Sequence, residues 1–321
     1  TTSGAWVAVF SVCSYLPQFL VSFVGGVWAD RYNRKFLIIG ADLGIAIITF
    51  SMMFIMPYIS TEIVLLSLLI IMSILRSIGA GIQSPAVNAV IPQLVPPENL
   101  MRYNGINVTM QSVVQFSAPA VAGIVLSVGT LQNTLLIDIL TAIVGIALFA
   151  CISLPKQDKK ITSSPILLDM KSGINYVFSN RVIGILLATY GLFTFLCVPA
   201  GYLSGLLVSR IYGDTYWYLT AVEICGFGGM VIGGLIMSFW GGFQKRSKTM
   251  FIGLAVFGIM AIGMGITQNF LLYLIFMICY GIALTTIQTT ITTSLQENTN
   301  VSMQGRVFGF MGAMYAICYP F

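Results

Sequence analysis

Apolar residues in this 321-residue chain gather into ten long runs, at about 5–28, 36–57, 63–90, 105–128, 131–154, 182–208, 216–240, 249–267, 270–295 and 305–321. Crossing the hydrocarbon layer of a bilayer takes roughly 20 apolar residues as a helix. Lipid offers no partner to backbone N–H and C=O groups, so runs of this length span it as α-helices. The expected fold class is therefore an all-α membrane protein with about ten transmembrane helices. Composition closes off the soluble alternative, because 57% of residues are hydrophobic and only 8% are charged, against about 25% charged in a soluble domain. The net charge of +5 comes from fifteen cations scattered among apolar residues, which make no nucleic-acid patch. Histidine is absent and no two of the six cysteines form a CxxC pair. The usual metal ligand and near-neutral base are thus lacking, and no disulfide framework, metal site or cofactor is expected.

Punctuation divides the runs at Pro57 to Ser60, Pro92 to Pro97, Pro155 to Asp158, Gly213-Asp214 and Gln268-Asn269. Glycines four residues apart, at Gly40/Gly44, Gly201/Gly205 and Gly229/Gly233, suit close helix packing in lipid. If residues 29–35 face the cytoplasm and the sides alternate, thirteen of the fifteen cations fall on that side. Arg210 alone lies outside, and Arg76 lies within the membrane. The positive-inside rule then orients the chain and places a further helix before Thr1. The longest hydrophilic stretch, 155–181, divides five segments from five. The expected organisation is a transmembrane half at 1–154, a cytoplasmic loop at 155–181 with an amphipathic piece from Leu167 to Phe178, and a second half at 182–321. Asn104 precedes Pro119, and Gly305 precedes Pro320, by the same fifteen positions, each beside a lone arginine (Arg102, Arg306). The basic loop 31–35 is echoed by Lys245-Arg246-Ser-Lys248. Both matches favour an internal repeat.

Ionisable groups inside a bilayer carry the most functional information, since each costs a few kcal/mol unless paired or hydrated. Arg76 lies near the middle of the run 63–90 and calls for a carboxylate or a water-filled cavity, or else backbone carbonyls. Glu223 lies about seven residues inside its helix, roughly 10 Å deep, where a carboxylate can carry a proton or hold two helices together. Asp138 and Asp42 are further candidates for proton coupling, with helix tethering the favoured role.

The loop Gly26-Val-Trp-Ala-Asp30-Arg31-Tyr-Asn-Arg34-Lys35 follows the first run directly. Its pattern, Gly-x-x-x-Asp-Arg-x-x-Arg-Lys, resembles the motif between helices two and three of the major facilitator superfamily. Arg76 with Gly79 is similar to the helix-four arginine motif of that family. Ser117-Ala-Pro119-Ala-Val-Ala-Gly123 resembles the antiporter motif of helix five, with its Gly-Pro and Gly-Gly pairs only partly kept. Stretches such as Ser84-Pro-Ala-Val-Asn-Ala-Val-Ile-Pro92 and Gly229-Met-Val-Ile-Gly-Gly234 resemble the bacterial macrolide-efflux branch of the drug:proton antiporters.

That resemblance implies two pseudo-symmetric six-helix halves, of which this chain lacks helix one and ends within helix eleven. It also implies a multi-pass protein of the bacterial cytoplasmic membrane that works as a monomer. The implied activity is proton-coupled efflux of amphipathic drugs such as macrolides, a route to antibiotic resistance. Gly26, Asp30, Arg31, Arg34 and Lys35 would form a conformational latch, with Asp30 beside the start of helix eleven at Gly305 to Phe308. Arg76, Glu223 (foremost), Asp138 and Asp42 would couple protons, and Ser117, Pro119 and Gly123 would mark the antiporter-like helix. Gln83, Tyr190, Phe193, Tyr202 and Gln288 would line the substrate cavity, with Pro199 loosening its helix. Two other readings stay open: export of another metabolite such as a siderophore, and, in a different class, a membrane scaffold or intramembrane enzyme. An enzyme would need a nucleophile with a base or a metal cluster, which the residues do not supply.

Overall fold

The computed structural model describes residues 4–59, 61–154, 165–213 and 216–318, without the side chains of 4–8, 62, 128, 131 and 198–202. Within it the chain forms eleven α-helices: α1 (Gly4–Arg31), α2 (Arg34–Ile55), α3 (Glu62–Leu94), α4 (Leu100–Val128), α5 (Leu131–Cys151), α6 (Ile166–Ser179), α7 (Arg181–Ile211), α8 (Tyr216–Trp240), α9 (Arg246–Ile266), α10 (Phe270–Asn298) and α11 (Gln304–Cys318). No strand occurs among the described residues.

Local chemistry explains several boundaries. Asn33 caps α2 by accepting from the Lys35 amide at 2.9 Å. Asn269 does the same for α10, accepting from Leu271 and Leu272, and each cap satisfies amides that the first turn leaves free. Between α8 and α9 the backbone turns at Gly241 and Gly242, with φ of +74° and +75°, a conformation that side-chain-bearing residues rarely adopt. Several boundaries run a few residues past the sequence expectation, as at the start of α4 (Leu100, expected 105), and one has proline within it. α3 runs on through Pro85 and Pro92 to Leu94, where its run had been expected to stop at 90. A proline removes one backbone hydrogen bond without ending a membrane helix, since neighbouring groups can satisfy the freed carbonyl.

The helix count also changes. Eight described helices are long and apolar enough to cross a membrane. A ninth span arises only if α6 and α7 as far as Cys197, bent by 96° at their junction, are taken as one. The last expected run, 305–321, coincides with α11, whose 15 described residues end at Cys318 and are not among those eight. The remaining expected segments each coincide with a helix.

Packing groups the chain into two compact units, and these do not follow chain order. The first comprises Thr1–Leu94, Gly123–Thr194 and Asn298–Phe321; the second comprises Val95–Ala122 and Phe195–Glu297. In the first, α11 lies against α1 and α3, and α2 against α3 and α5. Glycines let backbones touch: Gly25 of α1 meets the Gly81 carbonyl of α3, and Gly309 of α11 faces Ser22 and Gly26 of α1. In the second unit, Gly229 and Gly233 of α8 sit on the backbone of α10 at Ile278 and Ile282, as their spacing suggests. Gly40 and Gly44 do not follow that expectation. Among the described residues nothing lies within 4 Å of a methyl group at either. The side chain position of Gly201 lies outside the described residues.

Candidate functional site

Where α1 ends and α2 begins, five ionised side chains and one helix terminus converge in the first unit. Asp30, in the last turn of α1, reaches the first turn of α11. Its Oδ1 accepts from the Gly305 amide at 2.7 Å and its Oδ2 from the Arg306 amide at 3.1 Å. Both amides belong to the set that a helix cannot satisfy within itself. A carboxylate there also meets the positive end of the helix dipole. The Asp30 side chain is 3% exposed, and Arg34 Nη2 stands 3.4 Å from its Oδ1. Arg306 Nε lies 3.7 Å from its Oδ2.

Close approach of α1 and α11 is a condition of this clasp. A methyl group on Gly26 would stand 2.5 Å from the Gly305 carbonyl oxygen and 3.1 Å from Arg306 Cα. On Gly305 it would meet Asp30 Oδ1 at 2.7 Å. Side chains at either place would hold the two helices apart.

The loop cations divide the remaining work. Arg34 is buried and donates to three carbonyls: Ala29 at 3.0 Å, Ala89 on α3 at 2.5 Å and Val301 before α11 at 3.2 Å. It therefore fastens three segments while facing Asp30. Lys35 Nζ donates to Ala150 and Ile152 at 2.6 and 2.7 Å, capping the end of α5, where a cation suits the helix dipole. Arg31 turns to α6. Its Nε and Nη2 both lie 2.7 Å from Asp169 Oδ2, and Arg306 Nη2 lies 3.2 Å from the same oxygen. Arg306 Nη1 donates to Ser172 at 2.8 Å, and the Asn300 amide donates to the Tyr176 hydroxyl at 3.2 Å.

Asp169 was not among the residues that sequence reasoning selected. The available signal was modest: it is the one acidic residue of the amphipathic piece, on the face opposite Leu167 and Phe178. Glu297 was missed in the same way. The echo loop carries no aspartate, yet Arg246 pairs with Glu297 from the end of α10, Nη2 to Oε1 at 2.8 Å, and donates to the Gly241 carbonyl at 3.0 Å. Beside it Asn104 of α4 donates to Thr293 and Gln296 of α10 at 2.8 and 2.6 Å.

A second cluster in the first unit joins α2, α3 and α5. Arg76 forms an ion pair with Asp138, its Nη1 donating to Oδ2 and its Nη2 lying 3.5 Å from Oδ1. Thr49 accepts from Arg76 at 3.0 Å and donates to Asp138 at 3.2 Å. The membrane arginine thus has a carboxylate partner. About two turns along, Gln83 donates to Asp42 at 2.6 Å, so this candidate cavity residue already has a partner on α2. Glu223 belongs to α8 in the second unit, where it is exposed and makes no hydrogen bond or ion pair among the described residues of that unit.

The other expected residues are spread between the units. Tyr190 and Phe193 are buried in the first. Gln288 is half-buried in the second. Ser117 and Pro119 belong to the second unit and Gly123 to the first, where nothing lies within 4 Å of a methyl group at its position. The side chains of Pro199 and Tyr202 lie outside the described residues.

Comparisons with known proteins extend over the whole chain. The family described as Major Facilitator Superfamily matches residues 1–321. Macrolide efflux protein A of Streptococcus pyogenes is 29% identical over 329 residues, covering 100% of this chain and 79% of that protein. The Enterococcus faecalis protein of the same name is 29% identical over 326 residues, covering 99% of this chain and 98% of its own length. Among solved structures, a human organic anion transporter superposes with a TM-score of 0.82 at 13% identity, over 98% of this chain and 75% of that one. The fucose:proton symporter of E. coli does so at 0.76 and 14% identity, over 98% and 82%.

Proposed function

Because this chain belongs to the major facilitator superfamily, we propose that it exports amphipathic compounds such as macrolides by alternating access, driven by protons. A multi-pass membrane transporter of this fold needs one element that holds an end shut and can be released. The observation that carries the reading is the Asp30 carboxylate on the two free amides of α11.

The latch works by differential stabilisation. With α1 against α11, Asp30 gains two charge-assisted hydrogen bonds, each worth about 1.5–3 kcal/mol to a charged acceptor, and the helix dipole adds about 0.3–2 kcal/mol. Opening that end separates α1 from α11 and forfeits these terms unless water replaces them. The clasp therefore biases a two-state element towards one arrangement. Arg34 holds Asp30 and the segment before α11 in register, and Gly26 permits the approach.

The energy to release it would come from protonation of a membrane carboxylate. Asp138 with Arg76 is one candidate because the pair already joins three helices through Thr49. Glu223 is the other, standing exposed on α8 without a hydrogen-bond or ion-pair partner among the described residues of its unit. Candidate substrate contacts are taken unit by unit, Gln83, Tyr190 and Phe193 in the first and Gln288 in the second, in keeping with the apolar and aromatic contacts that bind amphipathic ligands. The two halves at 1–154 and 182–321, joined by the loop 155–181, are part of the same proposal. So is an orientation in the bacterial cytoplasmic membrane with Asp30 on the cytoplasmic side.

Whole-cell accumulation tests it. In a host lacking its own pumps, expression should lower retention of a macrolide, and a protonophore should abolish the effect. Lowered retention of siderophores alone would point to the other export reading. Unaltered accumulation of every compound would overturn export.

A further inference from the structure

α6 has two faces with opposite affinities, and only one of them serves the clasp. Asp169, Gly173 and Val177 are buried. On the opposite side of the helix, Leu167 is 76% and Phe178 79% exposed, with Leu168, Ile174 and Lys171 exposed beside them. α6 meets α7 at 96°, and α7, 31 residues long, covers the apolar run 182–208 that the sequence expects to span the membrane. Spanning helices tilt by about 20° on average, so α6 runs nearly in the plane of the bilayer surface. An apolar stripe with a cation beside it, on a helix lying in that plane, has the character of an interfacial helix. Arg181, also exposed, adds a second cation at its end.

We propose that α6 docks on the anionic headgroup layer of the bilayer, and that Asp169 carries this docking to the latch. The occupant of the exposed face is the lipid surface: Leu167, Ile174 and Phe178 enter the boundary between headgroups and chains, while Lys171 and Arg181 face lipid phosphates. Docking holds α6 at one depth, and Asp169 then holds Arg31 of α1 and Arg306 of α11 together through a single carboxylate oxygen. Ser172 and Tyr176 fasten the same face to Arg306 and Asn300. A bilayer richer in anionic lipid therefore favours the closed clasp. Each cation near such a surface contributes about a fivefold preference. The coupling rests on the latch reading and on the cytoplasmic orientation proposed above; the docking rests on neither.

Amide hydrogen exchange of the chain in nanodiscs tests both parts. Phosphatidylcholine discs would be compared with discs of phosphatidylcholine and phosphatidylglycerol. The anionic discs should slow exchange across 166–179 and at 304–308 about fivefold or more. Phe178→Ser with Lys171→Glu should remove both responses. Asp169→Asn should keep the response of α6 and lose that of 304–308. Equal α6 exchange in the two lipids overturns the docking. A lipid response at 304–308 that survives Asp169→Asn overturns the coupling. Asp30→Asn, read at 304–308 in phosphatidylcholine alone, tests the latch separately.

Discussion

Replacing Asp30 by Asn changes one atom and removes a charge, so its effect can be worked from the geometry. An asparagine keeps one carbonyl oxygen, which can still accept from the Gly305 amide at the 2.7 Å position. Its amide nitrogen then faces the Arg306 N–H, 3.1 Å away, and two donors meet. One charge-assisted hydrogen bond is lost, worth about 1.5–3 kcal/mol, along with the charge–dipole term of about 0.3–2 kcal/mol. The attraction of Arg34 and Arg306 is also lost, but burying an ion pair costs about what it returns, so we assign it no further gain. The expected loss is about 2–5 kcal/mol, a shift of roughly 30- to 5,000-fold in the population of the clasped state. Exchange of the Gly305 and Arg306 amides should accelerate by that factor, since exchange there requires opening of the clasp. Export should fall with it, because a cycle biased against one of its two states turns over slowly. Exchange within twofold of the wild type, with export unchanged, would refute the latch.

Three further outcomes follow from the same contacts. Gly26→Ala should lower thermal stability by an amount corresponding to about 1–3 kcal/mol, the usual cost of overpacking, and should also speed exchange at 304–308; a variant with wild-type stability and exchange would show that α1 and α11 need not touch. Arg76→Ala leaves Asp138 with Thr49 as its remaining partner; because both side chains are more than a third exposed, the expected loss is only about 1 kcal/mol, while Arg76→Gln with Asp138→Asn should recover stability, and proton-driven export should stay impaired if the pair couples protons. Lys35→Met should loosen the end of α5 by about 0.5–1 kcal/mol, seen as faster exchange near 149–152 with export little changed.

Much of the fold can be read directly from periodic apolar runs, because lipid leaves a long apolar segment no alternative to a helix. The site is legible in part. Asp30 and the glycine four residues before it stand in a pattern that names their neighbours in sequence, and the start of α11 could be anticipated as their target. Asp169 and Glu297 could not, since a carboxylate at the end of an amphipathic or spanning helix looks like an ordinary solvated charge. Gly40 and Gly44 show the converse. Their spacing is that of a packing motif, yet among the described residues nothing lies within 4 Å of a methyl group at either.

Taken by itself, the chain determined its solvent, its helices and the residue types that must be paired, because the penalties for exposing backbone or charge to lipid act locally. Which partner each charge takes is a matter of tertiary structure. Arg76 called for a carboxylate, a water-filled cavity or backbone carbonyls, and three carboxylates stood within the membrane segments. Only the approach of α3 to α5 assigns it to Asp138, and only the approach of α1 to α11 lays Asp30 on two amides 275 and 276 residues away. Ion pairing depends on separations of a few ångströms between segments far apart in sequence, and packing alone sets those distances.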